Sequence, residues 1–116
     1  MKKVRWSIQD VDTNILFMCM SYTYMNELMK NLHPDQCDEI GIDTLLKEWD
    51  KLRIKIVMDN GFDEYGYENI EFTDDEFLYL KKFYEMAHAY FHTSENIDDK
   101  DWYEENYNKL YDSLFK

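Results

Sequence analysis

Hydrophobic residues recur at intervals of three and four over most of this chain, the spacing of one face of an α-helix. The first such stretch runs from about Asp12 to Leu32, where Ile15, Met18, Tyr22, Met25, Met29 and Leu32 form a stripe. Leu16, Phe17, Cys19 and Met20 fill the other faces of its first half. A helix that is apolar all round is central and buried. Pro34, which cannot continue a helix, ends it.

A second helix is predicted from about Asp43 to Asp59, with Ile42, Leu45, Trp49, Leu52 and Ile56 on its apolar stripe. Asn60-Gly61 supplies a left-handed stop, and a short helical turn over residues 35–40 precedes it. The third helix has the best-marked start. In Phe72-Thr73-Asp74-Asp75-Glu76-Phe77, Thr73 caps the first turn, Glu76 reaches back to it, and Phe72 staples onto Phe77. Its stripe continues through Leu80, Tyr84, Ala87 and Phe91. The fourth start repeats this device with Ile97, Asp98, Asp101 and Trp102, followed by a stripe of Tyr103, Tyr107, Leu110 and Leu114. Residues 60–72 read as an acidic, aromatic loop or short hairpin, and residues 3–9 as a short strand or arm. The expected fold is therefore all-α: a small bundle of about four principal helices, with that loop between helices two and three.

The length, 116 residues, is that of one domain, large enough for a core without metal or disulfide staples. Ten Tyr, seven Phe, three Trp and seven Met supply large apolar side chains, which argues against disorder despite 33% charge. One Pro and three Gly leave few forced breaks, which favours long helices. The two cysteines do not make a disulfide framework, and Cys19 is expected to be a buried free thiol. The longest apolar stretch, Ile15 to Met20, is too short to span a bilayer, and no targeting segment is evident. A cytoplasmic protein is the expectation.

Charge changes the picture more. The formal net charge is -12. Residues 1–33 carry four bases and three acids, whereas residues 34–116 carry nine bases against 22 acids. Such a surface repels nucleic acid and anionic membranes and favours a basic partner.

Candidate chemistry is sparse. Glu85-x-x-His88-x-x-x-His92 puts a carboxylate and two imidazoles on one helical face, the spacing that metal sharing needs. Di-iron bundles use two Glu-x-x-His pairs; only one is present, and His33 has no Glu three residues before it. The expectation is a solvated flank and no metal or other cofactor, with a small metal-binding bundle as the alternative. Asp63 to Asp74 has the length of an EF-hand loop, but Tyr65, Tyr67 and Glu68 occupy two ligand places and the turn glycine place. Calcium is not expected. Cys37 lies among carboxylates, which disfavour a thiolate, and no phosphate-binding glycine loop exists. No catalytic residue is assigned, and the chain is not read as an enzyme. Met18, Met25 and Met29 read as core filling, with an adaptable binding groove as the alternative.

The remaining candidate is the acidic surface. Residues 59–76 contain eight acids and no base. Asp74, Asp75 and Glu76 complement the dipole of the helix they open; Asp59, Asp63, Glu64, Glu68 and Glu71 have no such local reason. On helix four, Asp98, Asp101, Glu105, Asn108 and Asp112 form a polar stripe opposite the core, about 20 Å long at 1.5 Å per residue. Its members stand roughly 5–6 Å apart, near the phosphate spacing of a nucleic-acid strand. These acids, with Tyr65 and Tyr67 as aromatic anchors, form the expected partner-binding surface. The function class this implies is an acidic inhibitor or interaction protein that docks on the nucleic-acid-binding groove of a nuclease or similar enzyme. Phage anti-CRISPR and anti-restriction proteins and toxin-immunity proteins act in this way. That comparison rests on size and charge. The alternative is a structural or regulatory bundle whose charge serves solubility.

Overall fold

The computed structural model describes every residue except 59, 60 and 96, with Met58 described by its backbone alone. Among the described residues the chain is predominantly helical, with a small sheet. In order, the elements are β1 (Lys2–Ser7), α1 (Ile8–Asn31), α2 (Pro34–Ile40), α3 (Ile42–Met58), β2 (Tyr67–Phe72), α4 (Asp74–Thr93) and α5 (Lys100–Phe115). Five helices replace the expected four, because the turn after Pro34 is a separate two-turn helix closed by Gly41 at φ 75°. Among the described residues no helix is long and apolar enough to cross a membrane.

The expected loop over residues 60–72 is half strand. β2 pairs antiparallel with β1, in a register running from Lys2 opposite Phe72 to Ser7 opposite Tyr67. Alternation explains the pairing: Val4 and Trp6 on one strand and Glu68, Ile70 and Phe72 on the other face inward. Each strand passes through a single capping residue into a long helix. Ser7 accepts from the Asp10 amide and Asp10 returns the bond, opening α1. Thr73 and Glu76 do the same for α4, at 3.1 and 2.8 Å, and Phe72 meets Phe77 as the expected staple with centroids 6.5 Å apart. The fourth expected device is absent: α5 starts after Asp99, which sits at φ 60° and gives no side-chain cap.

α1 and α4 form the central pair, with α3 against both and α5 against α4. Between them Phe17 is ringed by Tyr84, Phe91 and Tyr107, with centroids 5.6, 6.4 and 5.9 Å away. A buried aromatic of this kind contributes about 1.5–3 kcal/mol. The expected stripes of α3 and α4 are buried as drawn, apart from a half-buried Trp49. The face of α1 is not. Asn14, Phe17, Met18, Ser21 and Met25 point inward, while Tyr22 and Met29 are exposed. Cys19 is exposed too, a correction to the expected buried thiol. The cause is two polar residues on the core side. Ser21 bonds the Met18 carbonyl at 2.7 Å, and the Trp49 indole donates to that carbonyl and to Ser21 Oγ at 2.8 and 3.2 Å. Asn14 accepts from the buried Tyr84 hydroxyl.

Candidate functional site

The acidic residues singled out from the sequence are divided by the fold into three groups. The first is used internally. Asp63 folds the turn before β2: its Oδ1 accepts from the amides of Tyr65 and Tyr67 at 2.9 and 3.0 Å, and its Oδ2 from the Asn69 amide group at 3.0 Å. Above all the bond from the Tyr67 amide holds its carboxyl below the ordinary range, against a smaller opposing effect of burial. Glu68 lies on the inward face of β2 opposite Trp6 and is only 3% exposed, so it offers no carboxylate to a partner. A count of acids along a loop or hairpin does not say which face each one takes; the two-residue period of the strand turns this one in.

The second group is exposed but paired. Glu71 faces Lys3 across the sheet, 3.4 Å from its Nζ. Asp112 meets Lys116 at 3.1 Å. Tyr67 lies under the Arg5 guanidinium, 4.1 Å from its ring centroid. Exposed pairs of this kind are worth little energetically, but they neutralise the local field. The third group is exposed with no ion-pair partner among the described residues: Glu64, Asp98, Asp101 and Glu105. Tyr65, at the tip of the turn, is 72% exposed. Asp59 lies outside the described residues.

β1 stands between the acidic turn and α5. It pairs with β2 on one side and on the other borders a groove of about 360 Å³ beside α5, lined by Lys2, Lys3, Arg5 and Lys109 together with Asp10.

At the far end of α4 lies a second cluster. His88 and His92, one turn apart, present their Nε2 atoms to Glu104 of α5. The separations from Glu104 Oε2 are 3.3 and 2.7 Å. Burial pushes the Glu104 carboxyl up, but the hydrogen bonds and charges of the two imidazoles outweigh it and hold it below the ordinary carboxylate range. The Tyr107 ring lies against His88 with centroids 4.4 Å apart, and Phe91 meets its edge at 5.1 Å. Glu85, grouped with these histidines on sequence spacing, is turned elsewhere and accepts from the Tyr111 hydroxyl at 3.2 Å. Glu104 was invisible to a search within one helix because it comes from the next one. The only sequence signal for it is its place beside Tyr103 and one turn before Tyr107 of the α5 stripe.

No protein-family model, curated protein or solved structure matches this chain.

Proposed function

We propose that this protein works by docking an acidic face on a basic surface of a partner protein, of the kind that binds nucleic acid. The observation that carries the reading is the row on the exposed side of α5. Asp101 and Glu105 stand one helical turn apart, solvent-exposed and with no ion pair among the described residues, and Asp98 precedes them. Unpaired carboxylates in a row are available to meet Arg and Lys, where carboxylates already neutralised would have to exchange partners. The net charge of -12 adds a long-range field that speeds encounter with a cationic surface and that salt screens. Glu64 and Tyr65 offer a smaller contact at the turn before β2, with the exposed Tyr65 as an aromatic anchor. An inhibitor of a nuclease, of the anti-CRISPR, anti-restriction or immunity type, fits this chemistry; a protein whose charge serves solubility alone is the competing reading.

The test is capture of basic proteins from host lysate over a salt series, comparing the natural chain with Asp101→Lys/Glu105→Lys. Both positions are exposed, so circular dichroism should report an unchanged fold. The expected result is a saturable partner whose retention falls steeply with ionic strength and is lost in the double reversal. Retention that survives the double reversal overturns the reading.

A further inference from the structure

We infer that His88, His92 and Glu104 form a binding site for a zinc-type divalent transition ion that clamps α4 to α5. The three ligand atoms lie within 4.8 Å of one another. A lone ion pair needs one imidazole for one carboxylate. Here two imidazoles from successive turns converge, through the same ring nitrogen, on one carboxylate oxygen. That oxygen has no contact with solvent.

The distances suit the ion. Two ligand atoms each about 2.1 Å from a tetrahedral zinc stand about 3.4 Å apart. His88 Nε2 is 3.3 Å from both Glu104 oxygens, so this pair is already spaced for it. His92 Nε2, at 2.7 Å, must move out by roughly 0.7 Å to reach that spacing. Its side chain is 51% exposed, which leaves an open side for that shift. The Tyr107 ring against His88 fixes the less exposed ligand, which limits the ordering that binding requires.

The donor set selects the class of ion. Two imidazoles and one carboxylate suit zinc and its neighbours, whereas magnesium and calcium take oxygen ligands. Three protein ligands also leave a fourth position for water, as in open zinc sites. Imidazole ligands bind such an ion in their neutral form, so metal binding competes with protons and is favoured at neutral over acid pH.

Competition of the purified full chain with a chromophoric chelator for zinc alone, at physiological ionic strength, tests the proposal, and cobalt(II) serves as a spectroscopic probe of the same site. One ion per chain is expected, with intense visible cobalt bands of a four-coordinate N/O site and a raised melting temperature with zinc. Loss of an outer-shell partner in metal sites costs about 10–100-fold in affinity, so loss of a ligand in Glu104→Gln or His92→Ala should cost at least that. His33→Ala and Glu39→Gln, which remove an imidazole and a carboxylate elsewhere, should leave affinity unchanged. Glu104→Gln is close to isosteric, and circular dichroism verifies its fold. Stoichiometric binding that Glu104→Gln leaves intact would show two adventitious histidines rather than this site and would overturn the inference. So would binding no tighter than that of the His88→Ala/His92→Ala chain. Neither outcome bears on the docking face of α5, whose test uses no metal.

Discussion

The contact between Asn14 and Tyr84 makes a sharp prediction because it is buried, long-range and half satisfied. Both side chains are 0% exposed, and the tyrosine hydroxyl donates to Asn14 Oδ1. Burial pushes the Tyr84 hydroxyl well above its ordinary pKa, so it stays a neutral donor throughout the accessible range. The other end of the amide, Nδ2, is buried with no partner among the described residues. Tyr84→Phe leaves Oδ1 without its donor as well, which costs about 1–3 kcal/mol. Asn14→Leu instead strands the hydroxyl but removes the unpaired Nδ2, so it should cost less than Tyr84→Phe. Together the two changes remove every stranded polar atom and fill the site with hydrocarbon of similar size, which is near neutral or stabilising. The double variant should thus be more stable than either single one, with a coupling energy of about 1–3 kcal/mol. Against a total stability of about 5–15 kcal/mol this is readily resolved. Urea unfolding followed by circular dichroism gives the four midpoints of the cycle. If the double variant loses as much as the two single ones summed, Asn14 and Tyr84 do not share a bond and the core is arranged differently.

Two further expectations concern α4. Thr73→Ala removes the acceptor for the Glu76 amide and should lower stability by about 1 kcal/mol, measured by the same urea titration; no loss would mean that the helix does not start there. Glu76 also meets Lys55 Nζ at 2.7 Å, and although burial raises its pKa, the Lys55 and Thr73 bonds prevail and set it below the usual value of 4.5. Because the folded pKa is depressed, the stabilisation is present above about pH 4.5 and is lost as pH falls through the lower folded value. Glu76→Gln keeps an acceptor for the Thr73 amide but loses the charge, so the unfolding free energy should fall less steeply below that pH than in the natural chain; equal acid slopes would refute the ion pair.

Local signals settled much of the helical framework. The stripes of α3, α4 and α5 and the capping box at Thr73 depend on neighbours within four residues, and they stand in the structure where spacing put them, with Trp49 and Tyr103 only half-buried. Ser7 and Asp10 carry the same capping signal for α1, and would have placed that start from the sequence as well. What the sequence left open is whatever depends on distant partners. The sequence offered residues 3–9 as a strand or arm and residues 60–72 as a loop or hairpin, but not their pairing, because the alternation has meaning only once the other strand, 60 to 70 residues away, supplies hydrogen bonds. That pairing is also what turned Glu68 inward. On α1 the core face was misjudged because hydrophobicity ranks Asn14 and Ser21 as surface residues. Trp49 and Tyr84, on other helices, donate to Ser21 Oγ and Asn14 Oδ1 and make burial tolerable, although Asn14 Nδ2 stays without a partner among the described residues. The His88, His92 and Glu104 cluster has the same origin. Helical periodicity brought the two histidines together, but the packing of α4 on α5 chose Glu104 over Glu85, because a side chain's partner across an interface is set by the relative placement of two helices, which neither helix encodes alone.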